Sequence, residues 1–230
     1  MDKKLEELKK SYDQAIDYGR KGIDLYENLP DFIVNDPNYQ CYQKDAENDN
    51  SGSEDIKNYL VPKSDMKFVD LGCCLNLMFR EYDKWLSSYY GVDISEKTIQ
   101  LLNNFVSSEN LTIGSLYCGS IHETPYEDEQ FDIGTCIGVL EYFTKDFVQL
   151  AVEEMSRIMK PQGKFVLDIP DIGSPACSIA MKIEEYLGRP DLYDLSVLEF
   201  EEILSKNHFK INKKQTVGPM TQYFLSCSEG

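Results

Sequence analysis

Lys67-Phe68-Val69-Asp70-Leu71-Gly72-Cys73-Cys74, followed about 20 residues later by Tyr89-Tyr90-Gly91-Val92-Asp93-Ile94, is the passage on which the fold turns. The first run is short, apolar and β-branched, the pattern of a strand buried on both faces of a parallel sheet. Gly72 ends it with a residue that turns the chain sharply and lets backbone approach a ligand. The second run ends in Asp93, an acidic side chain able to accept hydrogen bonds from both ribose hydroxyls of a nucleoside. In an open parallel sheet, ligands lie beyond the carboxyl ends of the strands, near the point where strand order reverses. Both residues also have structural alternatives: Gly72 as a turn alone, Asp93 as a cap for the helix beginning near Ser95.

The pattern repeats outward from this passage. Leu111 to Cys118, Phe131 to Ile137 and Lys164 to Ile169 read as further strands. Thr144 to Lys160 is the clearest helix, with Phe147, Leu150, Ala151, Met155, Ile158 and Met159 on one face and Thr144 as its N-cap. Pro161-Gln162-Gly163 reads as the turn into the fifth strand. A last helix over Ser196 to Asn207 leads into a hairpin of Lys210 to Val217 and Gln222 to Ser228 about Gly218-Pro219. Such alternation implies a parallel sheet wrapped by helices on both sides. Before it, Leu5, Leu8, Tyr12, Ala15, Ile16, Gly19 and Ile23 share one face of an amphipathic helix, and the polar stretch Gln43 to Asp55 reads as a mobile surface loop.

Charge and cysteines narrow the function. The 230 residues carry 23 Lys+Arg against 40 Asp+Glu, a formal net charge of -17 without a basic stripe to offset it. Binding to a phosphate backbone needs the opposite balance, which argues against nucleic acid and anionic membranes and favours a small-molecule partner. Nothing approaches a membrane-spanning run of roughly 18 apolar residues, and a signal-peptide core is missing from MDKKLEELKK, so the expected location is cytoplasmic. The seven cysteines form no CxxC pair and no zinc-spaced cluster with histidine, so neither metal nor disulfide is expected. Sequence leaves a monomer and a homodimer equally open.

From about Lys67 to Ser228 the chain resembles the class I S-adenosylmethionine-dependent methyltransferase family. Four blocks carry the resemblance in the family's order: Phe68 to Cys74; Gly91-Val92-Asp93-Ile94-Ser95; Gly119-Ser120-Ile121-His122-Glu123-Thr124-Pro125-Tyr126 with Phe131-Asp132; and Val139-Leu140-Glu141-Tyr142 with Met155 to Gly163. The implied fold is α/β, a Rossmann-like, doubly wound, mostly parallel seven-stranded sheet with a reversed last strand and an N-terminal helical cap. The implied cofactor is S-adenosylmethionine, with S-adenosylhomocysteine as product. Its expected contacts are Asp70, Gly72, Cys73, Cys74, Asp93, Ile94, Ser120, Ile121 and Cys136, joined by Tyr12 and Tyr18 of a leader folded over it. Two departures stand out. Cys74 and Asn76 occupy positions where the family's loop continues with glycines, and Ser120 replaces a common aspartate.

The implied activity is methyl transfer to a small molecule, for which the protein mainly positions a nucleophile and excludes water. Glu141 and His122 are the candidate catalytic groups, with Asp168 as a further base and His208 structural. Residues 1–60 would form the cap and loop, and 61–230 the methyltransferase-like domain, with 173–194 as a substrate-side insertion. Arg189 in that insertion is a candidate for an acidic substrate group. Two rivals remain: a regulatory protein that binds S-adenosylmethionine or its demethylated product without turnover, and a nicotinamide-dependent oxidoreductase, which would want a fuller GxGxxG loop.

Overall fold

Strand β1 (Lys67–Leu71) lies mid-sheet, and its last four residues are wholly buried. That position explains its apolar composition, because neighbouring strands flank it and helices cover both of its faces. The structure is a computed structural model that describes residues 3–47, 53–189 and 192–228. The other strands are β2 (Ser88–Asp93), β3 (Ser115–Cys118), β4 (Phe131–Cys136), β5 (Met159–Pro170), β6 (Phe209–Val217) and β7 (Met220–Cys227). They form one sheet in the order β3-β2-β1-β4-β5-β7-β6. The first five run parallel, and β7 runs antiparallel to both β5 and β6. The order reverses between β1 and β4, which opens a crevice at their carboxyl ends.

The helices are α1 (Lys3–Arg20), α2 (Asp31–Val34), α3 (Tyr39–Glu47), α4 (Ser53–Leu60), α5 (Asn76–Phe79), α6 (Glu96–Ser108), α7 (Lys145–Ile158), α8 (Pro175–Tyr186) and α9 (Val197–Lys206). Alternation along the strands divides the core in two. Val69, Leu71, Phe165 and Leu167 pack against α7 and α9. Phe68 and Val166 point the other way, into a cluster with Ile56, Leu60, Leu102 and the aromatics Tyr82, Trp85 and Tyr89. Trp85 stacks on Phe68 with ring centroids 4.8 Å apart.

Several boundaries differ from the sequence reading. Gln43 to Asp55, expected as a loop, is helical to Glu47 and again from Ser53, while residues 48–52 lie outside the described part. Tyr39 and Tyr42, one turn apart on α3, pack against the Ile33, Ile179 and Ile183 cluster of α2 and α8, so tertiary contact overrides a weak local pattern. The turn expected at Pro161-Gln162-Gly163 is a bulge inside β5: Met159 pairs with Phe131 but Lys164 with Ile133, and Gln162 takes φ 63°. Strand β3 is shorter than expected because only Ser115 to Cys118 pair with β2. Helix α1 ends before Ile23, which is 46% exposed rather than part of the buried face. Thr144 holds the N-cap position of α7 without a side-chain capping bond, whereas Ser196 and Glu199 form a full capping box on α9.

Candidate functional site

The glycine after β1 has no substitute. Gly72 adopts φ 71°, and a Cβ there would stand 2.3 Å from Cγ2 of Val139. The amides of Gly72 and Cys73 both donate to the Val92 carbonyl at 2.9 Å, which binds the turn to the end of β2. Cys74 follows with φ 40°, a left-handed conformation despite its side chain. Its amide donates to Asp93 Oδ2 at 2.9 Å, and the Ser95 amide donates to Oδ1 at 2.8 Å. Each carboxylate oxygen thus holds one N–H and keeps lone-pair capacity for a pair of vicinal hydroxyls. Burial pushes the Asp93 carboxyl up, and the two amide bonds oppose that shift. The cap of α6 is Ser95, whose Oγ accepts from the Thr98 amide, so Asp93 is left to face the crevice.

A cleft lies over these residues. Gly72, Cys74, Asp93, Ile94, Ser120, Ile121, Gly138, Val139 and Tyr142 line it from four strand ends. Leu8, Lys9 and Tyr12 of α1 line it from above. The Tyr12 hydroxyl donates to that of Tyr142 at 2.9 Å, with the rings edge to face. Ser95 Oγ donates to the Asp13 carboxylate, Lys97 Nζ donates to the Asp13 carbonyl at 3.1 Å, and Lys97 pairs with Asp17. Helix α1 is therefore tied to the start of α6 and roofs the cleft.

Four expected cofactor contacts stand elsewhere. Asp70 is wholly buried beneath the loop, accepting from Thr135 Oγ1 at 2.8 Å, Tyr89 at 3.1 Å and Asn76 Nδ2 at 3.3 Å. Burial pushes it up to about 6 while those bonds pull it down, which suits a carboxyl that shapes the loop from below. Cys73 and Cys136 are also wholly buried; β1 and β4 are flanked on both sides, so these thiols face the core. Tyr18 lines a separate groove beside Leu187 and accepts from Gln14 at 3.3 Å, because about one and two-thirds helical turns separate it from Tyr12.

The two candidate catalytic groups are not brought together. His122 lines a neighbouring opening on the Ser120 side, with Nδ1 2.6 Å from Ser120 Oγ and its ring against Phe147. Glu141 lies in the 3-10 turn Leu140–Tyr142 after β4, and its Oε1 would be 3.8 Å from a Cβ placed on Gly138. Asp168 accepts from the Gly138 amide at 2.8 Å and so braces that turn. Arg189, expected to meet an acidic substrate, pairs with Glu184 at 2.8 Å and lies 4.9 Å over the Tyr12 ring. Its charge is met inside the fold. Sequence reasoning assigned no role to Gly138 or Tyr142; the signal for Gly138 was a glycine directly after a strand, and for Tyr142 its place in the Val139-Leu140-Glu141-Tyr142 block.

A nucleoside linked to an amino acid fits this arrangement. Asp93 suits ribose hydroxyls, and Ile121 presents an apolar side for a base. The Cys74 amide is already spent on Asp93, so the amino-acid part must find other donors.

Comparison with known proteins agrees with this geometry. Residues 69–167 match the family described as "Methyltransferase domain". Over 105 residues the chain is 23% identical to the uncharacterized methyltransferase YcgJ of Bacillus subtilis, covering 46% of this chain and 41% of that protein. It is 36% identical over 77 residues to demethylmenaquinone methyltransferase of Bacillus mycoides, covering 34% and 32%. The matches thus span less than half the length of these curated relatives. In three dimensions the chain resembles geranyl diphosphate C-methyltransferase from Streptomyces coelicolor, solved with Mg2+, geranyl diphosphate and S-adenosylhomocysteine, at a TM-score of 0.69 and 14% identity, covering 100% of this chain and 99% of that one.

Proposed function

Since the chain carries a class I S-adenosylmethionine-dependent methyltransferase domain, with S-adenosylmethionine as its cofactor, we propose that it methylates a small-molecule acceptor beside Glu141 and Tyr142. The observation that carries this reading is the Asp93 carboxylate, held open to the cleft by two backbone amides. Asp93 would hold the ribose, Ile121 and Ser120 the adenine side, and the Gly72 turn the chain leading to the methionine part. The cofactor supplies an electrophilic methyl group. The residues position the acceptor and exclude water, with α1 as the cover and Tyr12 and Tyr142 as its contact. Glu141 takes the proton that the acceptor sheds. His122, on the far side of Ser120, positions the adenine loop rather than the acceptor. On this reading residues 1–60 are the cap, 61–230 the transferase domain, and 173–194 the roof of the acceptor side.

The regulatory, binding-only alternative drew its support from non-glycine residues in the loop. Cys74 nevertheless follows the left-handed path, which favours the catalytic reading. Geranyl diphosphate, present in the structural neighbour, is not carried over to this chain. Among the described residues no cluster of three or more metal-binding side chains is present to hold a diphosphate through Mg2+. The test is calorimetric titration with S-adenosylhomocysteine. Asp93→Ala should weaken binding ~tenfold or more, through loss of charge-assisted hydrogen bonds. Equal affinity in a folded variant rules the assignment out.

A further inference from the structure

A second cavity of about 290 Å³ adjoins the cofactor cleft, sharing Gly138 and Tyr142 with it. Its walls come from the end of β5, the face of α8, the β6–β7 turn and the segments carrying Tyr26 and Tyr42. Two carboxylates, Glu141 and Glu184, and three phenols, Tyr26, Tyr42 and Tyr142, supply the wall's ionisable oxygens, with Met181 and Met220 as soft apolar surface. Among the described residues, the lining contains no lysine, arginine or histidine. Arg189, just behind, answers Glu184, which also accepts from Tyr142 at 3.2 Å. The described lining therefore presents carboxylate and aromatic surface to a ligand. The phenols do not add charge: burial pushes Tyr42 up to about 12 and raises Tyr142 and Tyr26 as well.

Resting on the reading that the adjoining cleft holds S-adenosylmethionine, we propose that this cavity takes an acceptor bearing an amine on an apolar or aromatic body, and that the reaction is N-methylation. Aromatic faces and carboxylates attract an ammonium group, and the same wall repels carboxylates and phosphates. Glu141 stands at the junction of the two spaces, with Oε1 near Gly138. There its carboxylate holds an incoming ammonium and removes its proton. The freed nitrogen lone pair forms the new N–C bond, and the electron pair of the breaking S–C bond leaves with sulfur, which becomes a neutral thioether. No oxidant or second substrate is required.

The test uses the whole chain saturated with S-adenosylhomocysteine and isothermal titration with matched probes. Phenethylamine is compared with 2-phenylethanol and 3-phenylpropanoate, and hexylamine with 1-hexanol and hexanoate. At about pH 7, where the amines are charged, at least one amine should bind ~tenfold or more tightly than its alcohol and carboxylate partners. Glu141→Gln should shrink that preference to about threefold or less while S-adenosylhomocysteine affinity stays unchanged. Met220→Lys, at the half-buried turn, should shift preference toward the carboxylate probe. Amines that bind no better than their alcohols or carboxylates in both series, or that do not bind at all, overturn the proposal. Failure of S-adenosylhomocysteine to bind in the first titration instead removes the cofactor reading on which it rests, so the two failures are distinguished.

Discussion

Cys74 bends the chain through a left-handed angle that costs a side-chain-bearing residue roughly 1–2 kcal/mol, and the turn persists because Asp93 and Val92 hold its amides on both sides. Its thiol lines a cleft built for an alkylating cofactor. Burial, reinforced by the Asp93 charge, pushes this thiol up to about 11. The thiolate fraction near pH 7 is then about a hundredfold below that of an ordinary cysteine, so Cys74 is a poor nucleophile there. With iodoacetamide near neutrality, peptide mass spectrometry should find exposed Cys41 modified well before Cys74, with Cys74 reacting faster as pH rises toward 11. Equal rates at neutral pH contradict this. At this scale the sequence was legible where a residue's position at a strand end sets its place at the cleft, as for Gly72 and Asp93. It was not legible for Asp70, Cys73 or Cys136, where the direction a side chain takes depends on which neighbours flank the strand.

Helix α1 was readable from its spacing, and its docked position follows from contacts that spacing does not encode. Tyr12 on Tyr142, Asp13 on Ser95, and Lys97 on both Asp13 and Asp17 tie it to two different elements. Most of these contacts are polar and half-buried, few enough to fix the helix's position without carrying the core. Removing residues 1–22 should therefore leave a domain with a cooperative melt, while S-adenosylhomocysteine dissociates ~tenfold faster or more in stopped-flow displacement. An unchanged off-rate would make α1 packing alone. Helices α3 and α4 were missed because their sequence is polar and short, and their order comes from packing, with Tyr39 and Tyr42 against α8 and Ile56 and Leu60 on the sheet.

For the whole molecule, alternating apolar runs sufficed to give the layered parallel sheet and its crevice, because burial on both faces leaves few other arrangements, while the reversed last strand came from the family resemblance. The second cavity was foreshadowed only through its α8 wall, which lies within 173–194; the rest draws on residues from Tyr26 to Met220 that meet only in the folded chain. A net charge of -17 is a property of the whole surface, and it predicts no mobility shift of tRNA or duplex DNA with micromolar protein at physiological salt. A shift under those conditions would reopen a macromolecular substrate. The aromatic stack beneath the sheet has an optical consequence. Trp85, the single tryptophan, precedes β2 and so sits toward the amino ends of the strands, while both cavities open at the carboxyl ends. Its emission reports the integrity of the sheet from a vantage that ligands do not touch, giving the protein a built-in gauge of folding that stays silent to occupancy.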